Sequence, residues 1–163
     1  MKRLWAPWRM EYILKEKDDV CIFCESFAEK KDRETLILFR GESSFIIMNR
    51  YPYNNGHLMV APIRHIANLE DLSEKEKASI FSLIQLSIVC LKKALKPEGF
   101  NIGMNLGRIA GAGIEDHLHF HIVPRWAGDT NFMPVLSEVR VMPQLLQESY
   151  DQLYNVFHEQ AER

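Results

Sequence analysis

Between Ser73 and Pro97 the apolar residues Ile80, Leu83, Ile84, Ile88, Leu91 and Leu95 recur at helical spacing, and no other stretch of the chain carries so long a helical pattern. Ser73-Glu74-Lys75-Glu76 has the form of a capping box that opens this helix, and Pro97 closes it. Its stripe faces a core and carries no chemistry, and Cys90 within it reads as a small buried hydrophobe. Around it lie short strand-like runs at residues 35–39, 45–48, 57–62, 99–105 and 117–124, separated by turn-rich segments at 40–43 and 51–56. Strands interrupted by one long helix indicate an α+β fold, with an antiparallel sheet of about five strands rather than a doubly wound parallel one. A short helix is expected over residues 25–34. A C-terminal helix is expected after Pro143, with Leu145, Leu146, Tyr150, Leu153 and Phe157 on one side. With no repeat and no low-complexity linker, residues 1–163 are expected to form a single domain.

The last strand-like run concentrates the chemistry. His117, His119 and His121 are three of only six histidines, spaced by two. In a strand that spacing puts all three imidazoles on one face and sends Leu118, Phe120 and Ile122 to the other. Such a row serves phosphorus chemistry or a metal. A histidine attacks phosphorus when one ring nitrogen is unprotonated and the other N–H is held by an acceptor, and the intermediate is a phosphoramidate. His119, at the centre, is the geometric choice of nucleophile, with neighbouring imidazoles binding phosphoryl oxygens or protonating the leaving group.

Two further groups adjoin the row. Gly103, Gly107, Gly111 and Gly113 fall within eleven residues just before it, either a wide turn or a phosphate cradle whose N–H groups approach an anion. Arg108 and Arg125 flank the row, either to meet phosphate or as solvated surface charge. Cys21 and Cys24 have the spacing of half a tetrahedral zinc site, which histidines downstream could complete. A redox pair is disfavoured because a polar turn, Glu16-Lys17-Asp18-Asp19, precedes them where a strand is wanted; unligated thiols stay open.

Composition limits the remaining classes. A formal net charge of −2 lacks the basic footprint of a general nucleic-acid binder, so an anionic ligand must be held by local groups. Three cysteines suit a reducing cytoplasm better than a disulfide scaffold. The charged, aromatic N-terminus does not read as a signal peptide, and no stretch is expected to reach the roughly 20 apolar residues of a membrane span.

These motifs resemble the histidine triad (HIT) family, whose signature alternates three histidines with apolar residues as His117 to Val123 do. The resemblance covers about residues 20 to 135, and divides the chain into a leader (1–20), a family core (21–135) and a helical extension (136–163). It implies that Asn49 contacts a ribose, that His57 lies near the phosphates, that Asn105 is a phosphate-side amide, that His119 is the nucleophile and that His121 contacts phosphoryl oxygens. Gly111 and Gly113 are the substrate-binding candidates of the loop. Some branches hold a structural zinc whose ligands match Cys21, Cys24, His65 and His117, which would leave His119 and His121 for phosphorus. Where the family has Gln-Ser/Thr, this chain has Ile114-Glu115-Asp116, so leaving-group contacts there do not carry over. A carboxylate at that point could orient an imidazole or repel a triphosphate.

The leader 4–13 and the segment 125–134 are similar to the branch of bacterial diadenosine tetraphosphate phosphorylases. The implied activity is nucleotidyl transfer from a dinucleoside polyphosphate, diadenosine tetraphosphate foremost, through His119 to phosphate, giving ADP and ATP. A hydrolase of dinucleoside polyphosphates or phosphoramidates giving AMP is the alternative. A catalytic metal on the three histidines and a nucleotide-binding regulator with little turnover are rivals of other classes. A cytoplasmic homodimer is implied, pairing through the long helix and one strand, with magnesium on the substrate phosphates and neither nucleic acid nor membrane as partner. Trp5, Trp8 and Tyr12 of the leader either add to that contact or pack on their own subunit.

Overall fold

The computed structural model describes residues 20–129 and 144–161. The readings of the leader, of residues 130–134 and of Pro143 lie outside the described residues. Five strands, β1 (Ile37–Arg40), β2 (Ser44–Met48), β3 (Leu58–Pro62), β4 (Gly99–Gly103) and β5 (Phe120–Arg125), form one sheet in the order β1-β2-β3-β5-β4. Every neighbouring pair is antiparallel, as the α+β reading requires. Among the described residues four α-helices accompany the strands: α1 (Ile22–Glu29), α2 (Asp32–Thr35), α3 (Glu74–Leu95) and α4 (Leu146–Ala161).

Alternation along the strands gives the sheet two dissimilar faces. On one, Ile46 pairs with Val60 and Met48 with Leu58, which pairs in turn with Ile122; these side chains are buried. α3 and α4 lie here: Ser44 and Ser79 share a hydroxyl hydrogen bond between β2 and α3, and the Tyr150 hydroxyl of α4 donates to the Ile37 carbonyl of β1. Tyr150, Leu153 and Phe157 are at most 2% exposed, and each contributes about 1.5–3 kcal/mol by burial. On the other face Ile47, Met59 and His121 follow one another across β2, β3 and β5. This is the face that builds the site.

The capping box is present in full: Ser73 accepts from the Glu76 N–H, and the Glu76 carboxylate accepts from the Ser73 N–H. Arg64 adds two hydrogen bonds to that carboxylate and one to the Asp71 carbonyl, tying the segment after β3 to the start of α3.

Several expectations need correction. The short helix begins at Ile22 and breaks before α2, and β1 starts only at Ile37 because Leu36 turns the chain at φ 68°. Leu145 precedes α4 and is 70% exposed. α3, at 22 residues, is long and apolar enough by length and composition to cross a membrane, contrary to the sequence reading. Here its stripe of Ile80, Leu83, Ile84 and Leu91 is buried, while Glu74, Lys75, Lys77, Gln85, Lys92 and Lys93 share its exposed side with Phe81 and Val89. Finally, β5 starts at Phe120, so of the three histidines only His121 lies within the ladder.

Candidate active site

The chain reaches His121 in an extended run that is only partly sheet. The Leu118 N–H donates to the Ile66 carbonyl (2.7 Å), and Leu118 is buried, so His117 and His119 are directed to the opposite side. They then diverge in role. His117 turns to a cluster with the N-terminal helix; His119 and His121 line a cavity of about 620 Å³.

In the cluster, the ligand atoms of Cys21, Cys24, His65 and His117 lie within 4.8 Å of one another. The Nδ1 of His117 is 3.3 Å from the Cys21 Sγ and 3.6 Å from the Cys24 Sγ, and the Nδ1 of His65 is 3.4 Å from the Cys24 Sγ. A tetrahedral zinc, with bonds of about 2.3 Å to sulfur and about 2.0 Å to nitrogen, separates such atoms by about 3.6 Å. The His117 Nε2–H donates to the Pro62 carbonyl (2.9 Å), which leaves Nδ1 as the lone pair facing the thiols. Burial, then the hydrogen bond and charge of Cys21, push the Cys24 thiol up to about 11. The donor set of two thiols and two imidazoles fits zinc.

His119 is 6% exposed, and its Nδ1–H donates to the carbonyl of His117 (2.8 Å). That fixes the tautomer and leaves Nε2 as the basic nitrogen. Burial holds the His119 pKa below its ordinary value, against the opposing pull of the His117 carbonyl, so the ring is neutral at pH 7. His121 is set by a chain of donors. The Tyr53 N–H donates to the Nδ1 of His57 (3.1 Å), which obliges His57 to donate from Nε2 to the Nδ1 of His121 (3.0 Å). The proton of a neutral His121 is then on Nε2. Tyr53 also stacks on His57, with centroids 4.8 Å apart.

Asn49, Gly111 and Gly113 line the same cavity; the Asn49 Oδ1 accepts from the Tyr51 N–H (2.9 Å). Gly111, at φ 92°, occupies a conformation few other residues adopt. Two of the candidates, His57 and Asn105, stand elsewhere. His57 is fully buried behind His121 and is not in the wall. Asn105 lies one step back, its Nδ2 donating to the Gly111 carbonyl (3.3 Å). Of the wider glycine run, Gly103 pairs with His121 inside the sheet and neither it nor Gly107 reaches the cavity. Glu115, Asp116 and Arg108 are absent from the lining, and Arg125 is bound to Asp129 and Asn101.

The cavity also contains residues to which the sequence reading assigned no role. Arg50 is the one cation among its described lining residues; its Nη2 donates to the Glu34 carbonyl (3.1 Å). Glu25 and Glu29 of α1, with Glu34, form an acidic flank that Ser26 joins as a neutral hydroxyl. Phe23, between the two cysteines, lies against both His117 and His119. Spacing gave no signal for these.

The HIT domain profile matches residues 30–128. The AP-4-A phosphorylase of Mycobacterium tuberculosis is 40% identical over 157 residues, covering 91% of this chain and 80% of that protein. The adenosine 5'-monophosphoramidase of Schizosaccharomyces pombe is 35% identical over 105 residues, covering 64% of this chain and 74% of its own length. A zinc-bound histidine triad family protein from Mycobacterium smegmatis shares the fold, with a TM-score of 0.69 over 87% of this chain and 96% of that one, at 23% identity.

Proposed function

The chain belongs to the HIT domain family, and from that premise we propose that this enzyme transfers a nucleotidyl group from a dinucleoside polyphosphate, diadenosine tetraphosphate foremost, to inorganic phosphate. The observation that carries the reading is the hydrogen bond from His119 Nδ1 to the His117 carbonyl, which leaves a neutral Nε2 at the wall of the cavity. The Nε2 lone pair attacks the α-phosphorus, the bond from phosphorus to the bridging oxygen breaks, and ATP leaves with that electron pair. His121 donates from Nε2 to the non-bridging oxygens as their charge grows. A phosphate oxygen then attacks the adenylyl phosphorus, the P–N bond breaks, and ADP leaves with His119 neutral again.

Asn49 serves the ribose, Gly111 and Gly113 approach the phosphates through their backbone, Asn105 supports Gly111, and His57 acts through His121. Cys21, Cys24, His65 and His117 would hold zinc, which would supply a cross-link between α1 and the segments that carry the histidines. Magnesium travels with the substrate phosphates. Likeness to the M. tuberculosis phosphorylase supports phosphate as acceptor. Likeness to the S. pombe monophosphoramidase keeps water, giving AMP, as the second reading.

Incubating the protein with diadenosine tetraphosphate, with and without phosphate, separates the two. ADP formed only with phosphate supports the proposal; equal AMP in both refutes it. Absence of a trapped adenylyl-histidine would point to a regulator, and turnover by His119→Ala to catalytic metal chemistry.

The same reading places the enzyme in the cytoplasm as a homodimer, without nucleic acid or membrane as partner. Phe81 (65% exposed) and Val89 (47%) on α3, with Ile102 (45%) on the edge strand β4, supply the pairing surface. Glu74 and the lysines on α3's exposed side are costly in lipid and suit the polar rim of a contact with a second copy of the chain.

A further inference from the structure

α1 belongs to two structures at once. Cys21, its N-cap, and Cys24 in its first turn are members of the four-ligand cluster, while Ile22, Glu25, Ser26 and Glu29 of the same helix line the nucleotide cavity. Between the cysteines, Phe23 is 0% exposed, with ring centroids 5.1 Å from His117, 4.9 Å from His119 and 6.4 Å from Phe45. At eight residues α1 is shorter than the roughly 12–15 that an isolated helix needs. Cys21 makes no side-chain cap, and the helix ends on Lys30 in the left-handed region at φ 52°. Its place is therefore set by packing through Phe23 and Phe27 and by the cluster.

We propose that Phe23 is a positioning residue through which the cluster fixes the ring of His119, and that α1 is a wall of the nucleotide cavity held in place by a bound divalent metal. Two routes lead from the cluster to the nucleophile. One runs through the His117 carbonyl, which fixes the His119 tautomer. The other runs through the Phe23 ring, which restricts the plane of the imidazole. The inference rests on the reading of His119 as nucleophile and of the cluster as a zinc-type site.

Phe23→Leu in the full-length, zinc-loaded protein tests the second route. Zinc per chain and the calorimetric Kd for AMP stay within about twofold of the parent. Formation of adenylyl-histidine in a single turnover at saturating diadenosine tetraphosphate slows by about 10- to 100-fold, the scale of a nucleophile misplaced by a fraction of an ångström. Phe23→Met, whose longer and polarizable side chain still reaches the His119 ring, recovers most of that rate. An unchanged covalent step, or a loss of AMP affinity as large as the loss of rate, overturns the positioning role.

The wall is tested without any substitution. Zinc removal by a chelator accelerates hydrogen exchange at residues 21–29 while β1 to β5 stay protected, and weakens AMP binding by about tenfold or more. Exchange that is unchanged in α1, or raised equally across the sheet, overturns it. Turnover by His119→Ala would defeat the underlying mechanism, whereas Phe23→Leu labelling at the parental rate on an intact His119 defeats this inference alone.

Discussion

Replacing His57 separates a residue that orients from one that reacts. Its ring is fully buried; its Nδ1 accepts from the Tyr53 N–H, and its Nε2–H reaches the Nδ1 of His121. His57→Leu keeps the bulk and removes both partners. Each buried polar group left unpaired costs about 1–3 kcal/mol. Because the Tyr53 N–H is only partly buried, the sum falls in the lower part of the range, about 2–4 kcal/mol of stability in urea unfolding. Without the donor that fixes its tautomer, His121 no longer presents Nε2–H to the phosphoryl oxygens, and a lost oxyanion donor costs about 10²–10³ in the chemical step. His57→Gln restores the donor near the former Nε2 and not the acceptor, so it regains the rate to within about tenfold while remaining destabilised. Single-turnover nucleotidylation and urea unfolding, run on both variants, decide the matter. Equal slowing by Leu and Gln would make His57 a reacting group, and parental rates in His57→Leu would show that the donor chain does not matter.

Arg50→Gln removes the cavity's one described cation, and the KM for diadenosine tetraphosphate rises by about 10- to 100-fold, the value of a charged hydrogen bond, while AMP affinity changes little. Equal losses for both ligands count against a polyphosphate role. The Glu76 carboxyl is held at about 2 by Arg64, against burial and with help from Ser73. The folded state therefore binds fewer protons than the unfolded chain, and this contribution to stability is present above the ordinary value of about 4.5 and disappears as pH falls toward 2. Glu76→Gln flattens that acid slope in thermal melts at stepped pH, and an unchanged slope contradicts the assignment. Cys24→Ser brings metal content from one per chain to near none, and a chelator that lowers the parent's Tm then has no effect. Phe81→Glu yields monomers by light scattering if α3 is the pairing surface.

Which features were legible depended on how far apart in the chain their causes lie. The bounds of α3 were readable because its capping box and its stripe are local, and so were the strands that carry Ile46, Val60 and Ile122, though not their order in the sheet. The histidine row was readable as chemistry and misread as regular sheet. Spacing by two does put the rings on one side, yet the Leu118 N–H bonds to Ile66 rather than to a neighbouring strand, and His117 is drawn to a cluster with two cysteines more than ninety residues earlier. Half of that cluster announces itself by the spacing of Cys21 and Cys24; His65 could be assigned only by resemblance, since nothing near it in sequence marks it. Phe23 and Arg50 had no local signal. An apolar residue inside a short helix and an arginine after a strand are ordinary, and what distinguishes them is the ring of His119 beside one and an acidic flank beside the other. The same distance explains why the acceptor was not legible. The nucleophile's chemistry is identical for phosphate and for water, so the choice falls to the cavity wall, which α1, α2 and the segment after β2 build together.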